Sequence, residues 1–346
     1  MLYRSILKPI LFQFDPELAH DWFIPLGEKL GNFRPTYALL DLIYGFSGQR
    51  AGVTVDGLHY RTPTILGAGF DYNARLINVL PALSFGGVEV GSVTARPCLG
   101  NPKPRLIRLP KSRSILVNKG LRNDGVDIII KRLQNKKKTK DFVVGVSIAR
   151  SNVEETVSVE EGVNDYLESF KKLNQAGVGD YFALNISCPN AFGGETFAEP
   201  VSLERLLSTL SQVSCDKPVY IKMPINLGWS AFDELLQVIE KFKIAGVIIG
   251  NLNKDYSVLA HHDEAPEEYR GGLSGRPCFE LSNDLIYKTR EKYGRRFTII
   301  GSGGIFSPED ALEKLALGAD LVQLITGMIY EGPGLIKKIA KEYAKS

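Results

Sequence analysis

The stretch Tyr181–Thr196 carries the densest group of side chains that could do chemistry. It begins as an apolar run with aromatic and β-branched residues, which is typical of a buried strand. The run ends in two carboxamides, Asn185 and Asn190, with Cys188 between them. Each carboxamide can both donate and accept hydrogen bonds, which suits a flat ring with alternating C=O and N–H groups. Cys188 is a candidate base or nucleophile, and a buried structural cysteine beside a turn is the alternative.

The elements that must position these groups alternate between short apolar runs and amphipathic helical patterns. Strands are predicted at Thr64–Leu66, Gly87–Val90, Phe142–Ile148, Tyr181–Ile186, Val219–Met223, Gly246–Ile249, Thr298–Ile300 and Leu321–Leu324. Helices are predicted at Asn73–Leu83, Val126–Leu133, Val159–Gln175, Leu203–Val213, Phe232–Lys243, Phe279–Tyr293, Pro308–Leu317 and Leu335–Tyr343. Eight successive βα units predict an α/β protein with a (β/α)8 TIM barrel. The site of such a barrel lies at the C-terminal ends of its strands, which is where Cys188 falls.

Glycine-rich turns follow the last two predicted strands. Residues 301–304 read Gly-Ser-Gly-Gly, and Thr326-Gly327 follows the eighth strand. Because glycines let backbone N–H groups close on phosphate oxygens, this pair of turns predicts a phosphate ligand. Lys222 lies one residue inside the end of the fifth strand, where burying an unpaired ammonium would be costly. A cofactor that becomes anionic when reduced would satisfy Lys222, and an ion pair with a carboxylate elsewhere in the chain is the alternative.

Residues 1–50 differ in pattern from residues 51–346, so a small N-terminal helical extension is predicted to precede the barrel. Apolar residues recur on one face of a first helix, and a second is predicted to begin at Pro16 with Asp15 as its N-cap. Such helices could lie on a membrane surface and form a hydrophobic tunnel, or they could pack as a plain hairpin on the barrel. Residues 34–52 read as a linker, and residues 53–61 as a β-hairpin that could plug one barrel end.

Composition narrows the function classes. The chain has 346 residues, 44% of them hydrophobic and 23% charged, as in an ordinary globular protein with a large core. A net charge of +3 gives no case for nucleic-acid binding. The four cysteines, at positions 98, 188, 215 and 278, form no CxxC pair, which argues against a metal site or a disulfide framework. The sequence contains no run of 18 apolar residues, so no membrane-spanning segment is predicted, and no signal peptide is evident.

Seven motifs, taken together, resemble those of the class 2 dihydroorotate dehydrogenases, the quinone-linked, membrane-associated flavoproteins of pyrimidine synthesis. The resemblance covers nearly the whole chain. The motifs are FQFDPELAH (12–20), VEVGSVTARPCLGNPKPRLIRL (88–109), LNISCPN (184–190), YIKMP (220–224), GGLSGRP (271–277), IIGSGGI (299–305) and VQLITGMIYEGPGLI (322–336).

This resemblance implies oxidation of dihydroorotate to orotate, with FMN across the barrel mouth and a quinone as acceptor. Cys188 would remove the C5 proton while the C6 hydride passes to the flavin. The family's cofactor positions fall on Ala68, Gly69, Ser92, Ser147, Asn185, Lys222, Gly250, Gly275, Gly304 and Thr326. Its substrate positions fall on Asn118, Lys119, Leu121, Asn185, Asn190 and Asn251.

His20 and Arg108 match family positions at the quinone tunnel. The alternatives are a helix-capping histidine and a surface salt bridge. The resemblance also implies a peripheral protein on the cytoplasmic side of a bacterial-type inner membrane, held there by the N-terminal helices.

The chain departs from the family pattern around the substrate. Cys188 stands where class 2 usually has a serine, and Tyr72 stands where class 2 has a lysine. The loop that begins at Asn118 is one residue short, and Lys119 or Arg122 could supply the missing charge. A different dihydropyrimidine-like ring therefore stays open as the substrate. A tRNA dihydrouridine synthase shares the FMN barrel and an Asn-x-x-Cys-Pro element, but the N-terminal helices and the weak basic excess argue against it.

Overall fold

The computed structural model describes residues 3–46, 48–137, 139–187, 197–266, 269 and 271–346. In chain order, its strands are β1 (Val53–Val55), β2 (Leu58–Tyr60), β3 (Thr64–Leu66), β4 (Gly87–Val93), β5 (Leu106–Leu109), β6 (Ser114–Val117), β7 (Val143–Ile148), β8 (Tyr181–Asn185), β9 (Val219–Met223), β10 (Gly246–Ile249), β11 (Gly272–Leu273), β12 (Thr298–Ser302) and β13 (Leu321–Leu324). Eight parallel strands, β3, β4, β7 to β10, β12 and β13, close into a barrel in chain order, so the predicted TIM barrel is confirmed. Strands β3, β9, β10 and β13 have the predicted bounds.

The helices follow a π-helical turn at Tyr3–Leu7. They are α1 (Lys8–Leu11), α2 (Pro16–Asn32), α3 (Arg34–Tyr44), α4 (Val126–Gln134), α5 (Val159–Gln175), α6 (Pro200–Leu210), α7 (Trp229–Glu240), α8 (Phe279–Tyr293), α9 (Pro308–Ala316), α10 (Thr326–Glu331) and α11 (Gly334–Tyr343). The main core lies between the barrel strands and the helices outside them, where the apolar stripe of each helix meets the outward side chains of the sheet.

The β1–β2 hairpin plugs the N-terminal end of the barrel, as predicted. Val55 and Tyr60 of the hairpin pack in one cluster with Tyr181 and Tyr220, which stand near the starts of β8 and β9. The Tyr220 hydroxyl donates to the Asp56 carboxylate in the hairpin turn at 2.5 Å. The opposite, C-terminal end of the barrel is therefore the end available for a site.

Two predictions were wrong, one for the first βα unit and one for the segment before the barrel. Residues 73–83 form no α-helix, because Ala74 adopts a left-handed backbone with φ of 58° and only Leu80–Leu83 form a 3-10 turn. The Asp71 carboxylate caps this irregular segment by accepting from the Arg75 and Leu76 amides. The supposed linker after residue 34 instead contains α3, which packs against the 3-10 turn. The N-terminal segment thus covers part of the barrel itself.

A small antiparallel sheet that the sequence did not predict stands over the C-terminal end. Strands β5 and β6 are inserted after β4, and β11, inserted after β10, pairs with β6. Residues 106, 108, 115 and 117 of this sheet line a cavity that they share with the barrel mouth and the N-terminal helices. The sheet therefore forms one wall of the candidate site.

Candidate functional site

One cavity of about 610 Å³ extends from the C-terminal ends of the barrel strands to the space beneath the N-terminal helices. Ser92, Asn185, Lys222, Asn251 and Thr326 line its barrel end. Apolar side chains line its other end, among them Leu7, Leu11, Phe23, Leu26, Leu30 and Met328. The cavity is therefore polar at the strand ends and apolar under α1 and α2.

A chain of hydrogen bonds fixes Asn185 at the end of β8. Its Nδ2 donates to Ser92 Oγ at 2.8 Å, and the Ser92 and Ser147 hydroxyls are 2.8 Å apart. Ser92 and Asn185 line the cavity, whereas Ser147 is fully buried behind Ser92. Of the three predicted residues, two are thus in position to contact a ligand, and Ser147 is in position to orient Ser92.

Asn251, after β10, is held by a residue that the sequence analysis did not single out. Its Nδ2 donates to the backbone carbonyl and to the hydroxyl of Ser187, both at 2.6 Å. The Ser187 hydroxyl in turn donates to the Lys222 carbonyl at 3.0 Å. Ser187 belongs to the strand-end motif LNISCPN, so a polar hydroxyl at this position could have indicated its role in holding Asn251. Asn185 and Asn251 consequently stand on two rigid strand ends of one cavity.

Cys188 and Asn190 lie outside the described residues. Described structure reaches Ser187, which is almost fully buried at the barrel mouth, and resumes at Phe197. The roles predicted for Cys188 and Asn190 therefore stay predictions.

Lys222 on β9 is an ammonium in the barrel mouth with 8% of its surface exposed. Among the described residues its Nζ has no hydrogen-bond or ion-pair partner. Glu89, deeper in the barrel, is the nearby opposite charge, and burial raises the pKa of its carboxyl while Lys222 acts in the other direction. Glu89 Oε2 accepts from Gln323 at 2.9 Å and from Tyr181 at 3.2 Å, while Oε1 has no partner. The alternative of a direct ion pair for Lys222 is therefore not realised in the described structure.

Two of the predicted cofactor glycines hold left-handed backbone positions and do not line the cavity themselves. Gly275 and Gly304 have φ of 75° and 74°. A Cβ at Gly304 would lie 2.4 Å from the Phe279 Cβ, and one at Gly275 would lie 2.3 Å from the Arg113 carbonyl oxygen. Any side chain there would clash, so both sites demand glycine. Thr326 stands beside them and its hydroxyl donates to Ser274 Oγ at 2.8 Å.

The other predicted cofactor glycines also hold special backbone positions. Gly69 has φ of 109° and its amide donates to the Gly91 carbonyl at 2.8 Å, so the turn after β3 is bonded to β4. Gly250 has φ of 137°, and a Cβ there would lie 2.3 Å from the Ser302 carbonyl oxygen. Ala68 and Gly69 line the cavity, whereas Gly250 joins β10 to Asn251.

A group of four ionised side chains, termed the charged seam, joins the N-terminal segment to the cavity wall. Glu17 of α2 is 2% exposed and forms ion pairs with Arg105 and Arg122, each at 3.0 Å. Arg122 also pairs with Asp21 at 3.3 Å. The hydrogen bond with His20 and the charge of Arg122 hold the pKa of Asp21 well below its usual range. The charged seam comprises Glu17, Asp21, Arg105 and Arg122, and the sequence analysis assigned a role to Arg122 alone.

His20 and Arg108 both line the cavity near the N-terminal segment. His20 Nε2 lies 2.8 Å from the Phe70 carbonyl oxygen, and its ring stacks on Tyr72 with centroids 5.4 Å apart. Burial lowers the pKa of His20, so a neutral ring that donates through Nε2 fits this contact. The Arg108 guanidinium lies over the Phe12 ring at 4.6 Å and donates to the Phe14 carbonyl at 2.5 Å. Both residues therefore tie the N-terminal segment to the cavity.

The loop after β6 brings Lys119 and Leu121 to the cavity. Leu121 has φ of 55°, and Asn118 accepts a hydrogen bond from Asn101 Nδ2 at 2.7 Å. The Lys119 ammonium lies 4.6 Å from the centre of the Tyr72 ring. Asn118 supports the loop, and Lys119 and Arg122 are the charged groups that the loop brings to the cavity.

Comparisons with known proteins agree with one another. The sequence profile of the family described as "Dihydroorotate dehydrogenase" matches residues 50–346. A protein of Christiangramia forsetii named "Dihydroorotate dehydrogenase (quinone)" is 36% identical over 342 residues, covering 98% of this chain and 97% of that protein. A protein of the same name from Bartonella henselae is 37% identical over 348 residues, covering 98% and 91%.

Solved structures give the same relationship. The ligand-free DHODH of Eimeria tenella superposes with a TM-score of 0.82 and 27% identity, covering 95% of this chain and 94% of that one. The complex of the Eimeria tenella DHODH with ferulenol gives a TM-score of 0.80, covering 95% and 90%.

Proposed function

Because the chain belongs to the dihydroorotate dehydrogenase family, in its quinone-linked class, we propose that it oxidises dihydroorotate to orotate and passes the electrons to a quinone, in pyrimidine biosynthesis. The observation that carries this proposal is the single cavity described above. Its polar end offers carboxamides and ammonium groups suited to a charged heterocycle. Its apolar end offers space suited to the ring and tail of a quinone.

The family implies a flavin, and we infer that it is FMN. The residues present fit such a group. At Gly275, which packs against Thr326, and at Gly304 no side chain fits, and glycine-rich turns of this kind can bring backbone N–H groups to a phosphate. The unpaired ammonium of Lys222 provides the positive charge that an isoalloxazine needs when it carries negative charge. When bound, the flavin supplies hydride acceptance from the substrate and electron transfer to the quinone.

The chain's own groups bind the substrate ring and move its proton. Asn185 and Asn251 line the cavity from fixed strand ends, and we propose that they orient the ring through its C=O and N–H edges, with Asn251 exchanging a donor bond to Ser187 for one to the ring. Cys188 is proposed as the base that removes the C5 proton. A thiol has an ordinary pKa of about 8.5, so its thiolate is accessible near neutral pH. Ser187, immediately before it, anchors this end of β8 to Lys222 and Asn251.

We also propose that the N-terminal segment rests on the cytoplasmic face of a membrane, where a quinone is dissolved. None of the helices in the described ranges has the length and hydropathy that a membrane crossing needs. The segment nevertheless exposes many large apolar side chains, namely Ile6, Leu7, Ile10, Phe14, Leu18, Trp22, Phe23, Leu26, Phe33, Leu39, Leu42 and Ile43. An apolar face of this size on short helices is suited to an interfacial position.

The test measures the absorbance of the bound flavin under anaerobic conditions. Dihydroorotate should bleach the flavin absorbance of the purified protein, and a soluble ubiquinone analogue should restore it. Dihydrouracil, which lacks the carboxylate, should bleach it far more slowly. Bleaching by dihydrouracil but not by dihydroorotate would assign the enzyme to another dihydropyrimidine ring, and an unbleached flavin with both would contradict the proposal.

A further inference from the structure

The Lys119 ammonium has no hydrogen-bond or ion-pair partner among the described residues. It lies over the face of the Tyr72 ring, 4.6 Å from the ring centre. It lines the cavity, so its accessible surface faces the space that a ligand would fill. An ammonium in a partly desolvated position gains most from an anion that arrives with the ligand.

The carboxylates nearest to Lys119 are already engaged. Glu17 accepts from Arg105 and Arg122, and Asp21 accepts from Arg122. Both carboxylates still act on Lys119 over a distance, since they raise its pKa against the lowering effect of burial. The two carboxylates of the charged seam therefore favour the ionised form of the ammonium without binding it directly, while the two arginines of the seam oppose it, and Arg122 is committed to the seam.

The backbone at Lys119 is held on both sides. The Asn101 amide donates to the Lys119 carbonyl at 3.2 Å, and Asn152 Nδ2 donates to the Gly120 carbonyl at 3.0 Å. The side chain then runs over Tyr72, whose ring stacks on His20. A cation on an aromatic face is held in place while its N–H donors stay available to a ligand. The lysine is thus positioned in advance.

We propose that the Lys119 ammonium binds the carboxylate of the ring substrate, with Tyr72 as the surface on which it is held. This assignment rests on the proposed function and names the group that selects a carboxylated ring over an uncharged one. Lys222, which also has no hydrogen-bond or ion-pair partner within the described part of the chain, stands inside the barrel on β9, whereas Lys119 stands on the outer loop after β6. The two charges therefore serve different parts of a bound complex.

The test compares the affinities of orotate and of its uncharged carboxamide, both measured from the change in flavin absorbance. Lys119→Met keeps the apolar stem of the side chain and removes the charge. It should weaken orotate binding by about ten- to a hundredfold, the scale of one hydrogen bond to a charged group, and leave carboxamide binding unchanged. Lys111→Met, at an exposed position in the turn between β5 and β6, is the matched control and should change neither affinity.

A double variant that moves the ammonium from position 119 to position 72 distinguishes carboxylate binding from a purely structural role of Lys119. In Tyr72→Lys combined with Lys119→Met, the new ammonium starts from the residue whose ring lies 4.6 Å from the original one. Orotate affinity should recover by about tenfold relative to Lys119→Met alone. Unchanged orotate affinity in Lys119→Met, or equal losses for orotate and the carboxamide, would overturn the assignment.

The failure of the proposed function would look different. If the wild type binds orotate more tightly than the carboxamide, Lys119→Met loses that preference, and dihydroorotate does not bleach the flavin, the activity is wrong while the Lys119 assignment is supported. If the wild type binds both equally, no group in the cavity recognises the carboxylate and the assignment fails, whatever the bleaching result.

Discussion

The barrel mouth and the N-terminal segment hold their side chains in different ways. In the mouth, Ser92, Asn185 and Asn251 stand on strand ends and are fixed by buried hydrogen bonds. In the N-terminal segment, side chains such as Trp22 and Leu42 are half or more exposed. The charged seam connects the two regions. The barrel therefore fixes the orientation of the polar side chains in the cavity. The N-terminal segment provides an apolar surface and contacts the cavity wall through a few ionised groups.

The first prediction, with the greatest change in rate, is that a substitution in the barrel mouth slows flavin reduction and leaves flavin reoxidation unaffected. Cys188→Ala should slow anaerobic flavin reduction by dihydroorotate by roughly 10²–10⁴-fold, the scale of a lost general base. Reoxidation of the reduced flavin by a quinone should keep its rate, because that step needs no proton removal from C5. Stopped-flow absorbance measures both steps. Cys188→Ser, the conservative variant, should retain part of the reduction rate. Equal slowing of both steps would mean that the residue shapes the site and is not the base.

The second prediction breaks the charged seam. Glu17→Gln leaves Arg105 without its carboxylate in a place where Arg105 is 13% exposed, so the free energy of unfolding should fall by about 3 kcal/mol. Glu342→Gln removes the exposed pair with Lys345 and should cost less than about 1 kcal/mol. Denaturant unfolding measures both. If the two variants are alike, the seam is an ordinary surface feature and the two regions are joined by apolar packing.

The third prediction concerns the pH dependence of orotate binding, which should follow the ionisation of Lys119. Burial lowers the pKa of Lys119 to about 8, while Glu17 and Asp21 oppose the shift and Arg105 and Arg122 add to it. Below pH 8 the ammonium is charged and orotate binding is at its full strength. Above pH 8 the charge is lost, so orotate affinity should fall by up to about tenfold per pH unit. Lys119→Arg should move this fall to higher pH, since guanidinium stays charged. A fall that stays at pH 8 in Lys119→Arg would assign the titration to another group.

The smallest effect concerns the outer face of the segment. Leu42 on α3 is 78% exposed, so Leu42→Gln should leave stability within about 0.5 kcal/mol. It should weaken binding to phosphatidylglycerol vesicles by roughly three- to tenfold, as expected for one partly inserted leucine. Val201→Gln, 82% exposed at the start of α6, is the control and should not change vesicle binding. Equal vesicle binding by the wild type and both variants would place the membrane contact elsewhere.

The sequence predicted the barrel well because parallel strands covered on both faces read as short apolar runs. Strands such as β9 and β10 end where those runs end. It failed at residues 73–83, where the left-handed backbone of Ala74 breaks a pattern that otherwise looks helical. It also missed α3, since Pro35 in its first turn looked like part of a linker.

The candidate site was predictable where its residues follow strands, as Asn185, Asn251 and Thr326 do. The charged seam was not, because Glu17 lies 88 residues from Arg105 and 105 residues from Arg122. No local pattern carries such a pairing. Lys119 stood out as a spare charge in the loop, but only the ion pairs of Arg122 with Glu17 and Asp21 separate it from that neighbour, since both cations lie over the Tyr72 ring.

The packing of α3 against residues 80–84 has a consequence for the order in which the chain folds during synthesis. This helix leaves the ribosome early, yet it packs against Leu80–Leu83, and Ser84 must follow to bond the Tyr44 carbonyl. The first barrel strand pairs with β13, so the ring cannot close before residue 324 is synthesised. At bacterial and eukaryotic elongation rates this takes roughly tens of seconds. Until residues 80–84 follow, the apolar face of α3 lacks its partner, and until β13 follows, β3 lacks one of its two neighbouring strands.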